Sequence, residues 1–209
     1  MTNTLKRSLG LIALLISLWG CASTPDPPVF LVPANDGPEG YTLKDEQWTF
    51  ETKLIRLTAA PMRPADLAGE PDAIGILSGK DYIIIRMEIE NKSDRKLLFN
   101  PAYAAMLTDT SDYYKPLDYT DIYTILSEAD EVGAPVRGLR GRIYDLTVTL
   151  EPGAKTTRLM LFPPVDKDSD SAQLFIKNIY IGKADISVTI PLTKDKTKPE
   201  EKGKKTGGS

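Results

Sequence analysis

Three groups of side chains in this sequence have the types and spacing to do chemistry. Asp166-Lys167-Asp168-Ser169-Asp170 has the D-x-D-x-D spacing that opens a calcium loop, where alternate side chains offer hard oxygen ligands. An EF-hand loop next needs glycine at its sixth position and glutamate at its twelfth, and here those positions hold Ser171 and Lys177. With half the ligand set present, a solvated acidic connection is the better reading, and no metal is expected. Val136-Arg137-Gly138-Leu139-Arg140-Gly141-Arg142 sets three guanidiniums among glycines. Such a segment can grip phosphate or carboxylate bidentately, and it can equally be an exposed loop whose charges keep it soluble. Tyr113, Tyr114, Tyr119 and Tyr123 gather within eleven residues. Tyrosine rings are favoured at protein interfaces and are also ordinary packing residues at strand edges and on helices.

The chain contains no histidine. A Ser-His-Asp triad, a His-based zinc site and an imidazole proton shuttle are therefore impossible. Carboxylate pairs, lysine and tyrosine remain, but these are too common in any sequence to mark a site. A carboxylate-based hydrolase is the weakest reading; we expect no enzyme and no cofactor. The 26 basic and 29 acidic residues give a formal charge of −3. Nucleic acid is not an expected partner, because binding it takes clustered Lys and Arg against phosphates.

The elements that must position these residues follow from the pattern of the chain. Lys6 and Arg7 precede an apolar run from Leu9 to Leu18, the layout of a secretory signal and short for a membrane span. Residues 21–47 are rich in proline and glycine and read as an extended tether, about 60 Å long for twenty residues at polyproline rise. Val29-Phe30-Leu31-Val32 interrupts it and is expected to dock on the domain as a short strand. Period-2 alternation then dominates. Ile83, Ile85, Met87 and Ile89 define one face of a strand over Tyr82–Asn91, with Tyr82 and Ile84 out of phase. Leu97–Phe99, Tyr103–Leu107, Tyr144–Leu150, Thr157–Phe162, Leu174–Ile181 and Ile186–Leu192 read as further strands, and Trp48–Leu57 as one strand of mixed phase. Turns at near-regular spacing make this an all-β chain, an antiparallel β-sandwich of about seven strands. Two long connections break the rhythm. Ala59–Asp81 has three prolines and little periodicity. Asp118–Arg142 opens with Ile122, Ile125, Leu126 and Ala129 at helical spacing, capped by Asp118 or Thr120 and ending before Gly133 and Pro135. The expected organisation is a signal segment over 1–20, the tether, one domain over 48–193 and a lysine-rich disordered tail over 194–209.

Two resemblances give this layout a setting. Leu18-Trp19-Gly20-Cys21 resembles the lipobox of bacterial lipoproteins. The resemblance implies lipidation of Cys21, palmitate included, and cleavage before it; the sole cysteine is then unavailable as a nucleophile, disulfide partner or metal ligand. Ala22 follows it where, in the sorting rule this resembles, aspartate would retain a lipoprotein in the inner membrane. A cell-outer-membrane location facing the periplasm or the cell surface is implied. Tyr82 to Asp94, Leu107-Thr108-Asp109 with Tyr114-Lys115-Pro116, and Leu150-Glu151-Pro152-Gly153-Ala154 are similar to telokin-like, Ig-like domains of bacterial lipoproteins. That resemblance covers roughly residues 48–192, implies a sandwich displayed in the envelope, and brings no catalytic motif. The two long connections lengthen what are often simple turns in that family.

The expectation is therefore a non-catalytic, membrane-anchored module that binds an envelope protein through Tyr119, Tyr123, Arg137, Arg140 and Arg142. The alternative is a receptor for an anionic small ligand or envelope polymer, using the Arg137–Arg142 loop.

Overall fold

A computed structural model describes residues 29–128 and 136–195, with Arg137 described by its backbone alone. Cys21, the signal segment, the first part of the tether, residues 129–135 and residues 196–209 lie outside the described residues.

Two antiparallel sheets face each other. In the five-stranded sheet the order is β10 (Lys155–Phe162), β5 (Ile83–Asn91), β4 (Ile55–Pro61), β3 (Gln47–Glu51) and β2 (Tyr41–Lys44). In the other sheet β1 (Leu31–Pro33) pairs with β12 (Ala184–Lys194), and β12 with β11 (Ser171–Ile181). The far edge of β11 is shared by two short strands, β6 (Leu97–Phe99) and β7 (Ala105–Thr108). Beyond them lie β9 (Val148–Leu150) against β6 and β8 (Tyr113–Tyr114) against β7. Two helices complete the described residues, α1 (Asp72–Gly79) and α2 (Tyr119–Glu128). The chain is thus an all-β sandwich, with more strands than the seven or so expected and one more helix than expected.

The alternating faces account for the main core. Ile83, Ile85, Met87 and Ile89 of β5 point inward with Leu57 and Met160. From the opposite sheet they meet Phe99, Val148, Leu174, Ile176, Val188 and Ile190. Full burial of each such side chain contributes about 1.5–3 kcal/mol before the entropy of ordering is charged against it. Leu146 departs from the expected alternation: Tyr144 is buried, but Leu146 is 70% exposed in a bend, and strand pairing begins only at Val148. The expected strand over Tyr144–Leu150 shortens to its last three residues.

Trp48–Leu57 is a hairpin rather than one strand. Thr52 Oγ1 accepts from the amides of Leu54 (3.1 Å) and Ile55 (3.2 Å), turning the chain between β3 and β4. A hydroxyl that binds its own backbone two or three residues on is a turn device, and the break in phase was its trace.

The sandwich also begins earlier than residue 48. Residues 29–47, expected as tether, hold β1 and β2, and Leu31 pairs with Lys194 while Val29 and Leu31 are buried. Trp48 Nε1 donates to the Pro191 carbonyl at 3.2 Å, and the Thr189 amide donates to Tyr41 Oη at 3.1 Å. These bonds lie on the edge of β12 past the end of β1, which blunts an otherwise open strand edge. Gly37 lies so close to the indole that an added Cβ would overlap Trp48 Cη2. Lys194, expected to open the tail, is the last residue of β12.

Candidate partner-binding surface

The strand β5 carries apolar residues on both faces at its start, and the outer one explains the site. Ile84 of β5 and Leu159 and Leu161 of β10 are buried on the outside of the five-stranded sheet. Over them the two long connections pack into a second core, with Leu67, Ile74 and Leu77 from the first and Leu117, Ile122, Leu126, Leu139 and Ile143 from the second. Tyr82 leans on the same cluster. Its phenol is pushed above its ordinary range by desolvation and then by the Glu128 carboxylate at the end of α2.

Each connection is fixed by bonds that its sequence supplies. Ala59–Asp81, expected as an aperiodic loop, forms a 3₁₀ turn over Pro64–Leu67 and then α1, whose Ala73, Ile74, Leu77 and Ser78 are buried. Three prolines hid this helix, yet Pro71 stands just before it, where a missing N–H costs nothing. The Met62 amide donates to the Ile84 carbonyl at 2.8 Å and ties the connection to β5.

In the second connection Asp118 caps α2 as expected. Its Oδ1 accepts from the amides of Thr120 (2.8 Å) and Asp121 (2.9 Å), and Asp121 Oδ2 accepts from the Asp118 amide (3.0 Å). That reciprocal pair is a capping box with aspartate in the third helical position. Both ends of the connection are pinned to the edge of β10: the Leu117 amide donates to Leu161 O (2.8 Å), and the Leu159 amide donates to Arg142 O (2.7 Å). The turn over Val136–Leu139 lies against both helices.

The expected site residues separate into two kinds. Tyr123 is 52% exposed on α2, and Arg140 and Arg142 are exposed with no ion pair among the described residues. Tyr119 instead packs partly buried against the second core, so its ring supports the surface more than it forms it. The side chain of Arg137 lies outside the described residues. Tyr113 and Tyr114 belong to β8 at the edge of the other sheet, so the four tyrosines do not make one patch. Sequence reasoning missed Glu70, which sits 3.6 Å from Arg86 and links the first connection to the outer face of β5. Ion pairs with solvent-exposed partners contribute little, about 0–1 kcal/mol.

Beside the start of α2, a cleft of about 260 Å³ is lined by Pro101, Lys115, Leu117, Asp121, Tyr144 and Asp145, among others. Two of its three carboxylates, Asp118 and Asp121, accept the backbone amides of the capping box. The Tyr144 hydroxyl, whose pKa burial drives upward, bonds to the carbonyls of Met87 (3.2 Å) and Thr156 (3.3 Å).

The acidic stretch is a built turn. Asp166 Oδ1 accepts from the Asp168 amide (2.9 Å), the buried Ser169 hydroxyl bonds to that of Thr110 (2.8 Å), and the Asp170 amide donates to Asp109 (3.2 Å). Among the described residues no group of three or more acidic side chains is placed to hold a metal ion. Nor is any described helix long and apolar enough to cross a membrane.

No family model matches the chain, and no curated protein matches it. Two solved structures are similar over much of its length. The yjhA protein from Bacillus subtilis shares 14% identity at a TM-score of 0.39, covering 68% of this chain and 93% of its own. A functionally unknown protein from Listeria monocytogenes EGD-e shares 13% identity at a TM-score of 0.36, covering 79% and 85%.

Proposed function

We propose that this chain is a lipid-anchored, non-catalytic module of the bacterial cell envelope. In this reading Cys21 carries the lipid, the anchor lies in the outer membrane, and the helical layer over the five-stranded sheet binds an envelope protein. The observation that carries the binding half is the second core. Two connections that could have been loose loops are pinned to β5 and β10, and they present Tyr123, Arg140 and Arg142 from a packed platform. Preorganised exposed aromatic and arginine side chains favour partner binding, because little ordering entropy is left to lose. Arg137 belongs to the same proposal by its place in the chain. The lipid half stands on the lipobox and telokin-like resemblances.

Photo-crosslinking residues placed in intact cells at Tyr123, Arg140 and Arg142, with Tyr180 on the outer face of the other sheet as a control, test the binding half. Adducts of one defined mass at the first three sites and none at Tyr180 are expected. Adducts at Tyr180 alone would place the surface on the opposite face and overturn it. For the lipid half, Cys21→Ser should remove the chain from outer-membrane fractions, and unchanged fractionation would sink it. Arg140 and Arg142, exposed and in no ion pair among the described residues, also favour a second reading, recognition of an anionic ligand. Calorimetry with a phosphorylated glycan, comparing wild type with Arg140→Ala/Arg142→Ala, distinguishes the two.

A further inference from the structure

One edge of the sandwich sets two arginines side by side and gives neither a counter-ion. Where the second connection ends, Ile143 bridges Leu159 in the parallel sense at the outer edge of β10. The Tyr144 amide donates to the Leu159 carbonyl at 2.8 Å, and the Leu159 amide donates to Arg142 O. Ile143 and Leu159 share the outer core, whereas Tyr144 and Met160, one residue further on, share the inner one. The same alternation taken one residue back places Arg142 beside Arg158 on the inner side of the edge. Neighbouring strands lie about 4.8 Å apart, so the two side chains leave the backbone as adjacent cations. Arg158 is half-buried, and its guanidinium lies over the Tyr144 ring, 5.9 Å from the ring centre. That ring is fixed in turn, because its hydroxyl bonds to the carbonyls of Met87 and Thr156.

Carboxylates are not scarce in this chain, with 29 acidic against 26 basic residues. Arg56, Arg63 and Arg86 each pair with one. Arg142 and Arg158 form no ion pair among the described residues. The acids close to them in the fold are turned elsewhere. Glu88 accepts from Thr157 Oγ1 and pairs with Lys155, and Asp145 lines the cleft beside α2. We propose that Arg142 and Arg158 form a binding site for a phosphate monoester. The proposal rests on the second reading above, an anionic ligand, and adds to it the ligand class and a residue outside the Arg137–Arg142 loop. Two adjacent guanidiniums repel, and the half-buried one has lost hydration, so a bound dianion relieves both costs. A planar, singly charged carboxylate is satisfied by one guanidinium fork. Phosphate carries more charge and directs its oxygens several ways, so forks from two neighbouring strands can share it. The Tyr144 ring holds Arg158 in place beforehand, which leaves less ordering for the ligand to impose.

The test is an amide-resolved NMR titration of the Ala22–Ser209 chain, which keeps every described element. The probes are glucose-6-phosphate and, separately, a short-chain phosphatidic acid kept below its micelle concentration. Saturable shifts centred on residues 142–144 and 158–160 are expected with at least one probe. The tighter of the two tells a phosphorylated sugar from a lipid headgroup. Arg158→Gln should weaken that binding about ten- to a hundredfold. Arg142→Gln, made at an exposed side chain, should do the same with the fold intact. Arg95→Ala removes a cation from the β5–β6 turn and should leave the binding unchanged. No binding of either probe, shifts confined to other residues, or wild-type affinity in either glutamine variant overturns the proposal. The phosphorylated-glycan calorimetry decides the wider reading separately. Heat lost in Arg140→Ala/Arg142→Ala but kept in Arg158→Gln would sustain that reading and overturn this one.

Discussion

Changing Asn91 to alanine should cost about 3 kcal/mol, although the residue touches no candidate site. Asn91 is fully buried at the end of β5. Its Nδ2 donates to the carbonyls of Arg95 (2.6 Å) and Leu150 (3.0 Å), and its Oδ1 accepts from the Ser93 amide (3.1 Å) and hydroxyl (2.7 Å). Its own backbone meets the next hairpin: the Asn91 amide donates to Ala154 and its carbonyl accepts from Gly153. One amide thus holds the β5–β6 turn and fastens it to the β9–β10 turn in the other part of the chain. Arg95 and Ser93 can turn to water when the amide goes, at about 0.5–1.5 kcal/mol net for each bond. The Leu150 carbonyl lies deeper and is left without this donor, a cost of about 1–3 kcal/mol. Urea unfolding of the Ala22–Ser209 chain measures the sum. The midpoint should fall by roughly 1–2 M with an unchanged slope. Asn91→Asp keeps the acceptor and replaces the donor with a carboxylate oxygen facing two carbonyls. Burial and those carbonyls raise its folded pKa above the unfolded one. Its stability should therefore be greatest at acid pH and decline as pH rises through the carboxyl range. A loss below about 1 kcal/mol in the alanine variant, or an aspartate variant as stable as wild type at neutral pH, would refute the donor role.

Four further outcomes follow from the same structure. A chain starting at Glu46 loses β1 and β2 and uncovers Trp48, so it should lose the near-ultraviolet signal of a fixed indole, while a chain starting at Ala22 keeps it. Asp118→Ala should destabilise by about 1 kcal/mol and lower the helical signal, with Asp118→Asn recovering most of it. Tyr119→Ser should cost about 1–2 kcal/mol of stability and Tyr123→Ser less than about 0.5, and denaturation midpoints in the reverse order would mean that the two rings have exchanged roles. Desolvation raises the Asp109 carboxyl, but amides from Asp170 and Ser171 outweigh it and hold the group below its ordinary value. Its contribution to stability is present above the unfolded pKa and lost as pH falls through the folded one, so Asp109→Asn should flatten the acid limb of the pH–stability curve.

The parts of the fold that could be read from the sequence are those where one face is buried and the other wet. In β5, β11 and β12 the period of two survives translation into structure because the inner face alone is apolar over most of their length. The readings that changed are places where a second partner acts. Tyr82 and Ile84 broke the alternation of β5 because the helical layer buries the outer face there, and that break was itself the signal for a covering element. Trp48–Leu57 hid a turn made by one hydroxyl, and α1 lay behind prolines. The docking expected of Val29–Val32 is met by β1, which pairs with β12, whereas β2 looked like tether because proline and glycine precede it and its partner β3 was read as the start of the domain. Of the candidate site, the helix, its cap and the exposure of Tyr123 were legible locally. The inward turn of Tyr119 was not, since it depends on a second connection distant in sequence.

The outer face of the five-stranded sheet is divided in a way that shows how a small sandwich can carry a rigid surface on its connections. Toward the start of β5 and the end of β10 it is apolar and covered, through Ile84, Leu159 and Leu161. Toward the other end it is an ion-paired row running from Glu51 through Arg56 to Glu90, with Lys155 opposite Glu90 on the next strand. An apolar outer face along the whole sheet would need a complete third layer or would invite association. A charged one along the whole sheet would leave the connections without anything to pack on. The switch of character within single strands gives Ala59–Asp81 and Asp118–Arg142 a common floor and confines them to it. Because the same strands supply the main core on their inner face, the platform and the sandwich form one packed body. A partner that grips Tyr123 and Arg142 is therefore gripping the sandwich, and binding there loses less to the ordering of loops than it would on connections held only at their ends.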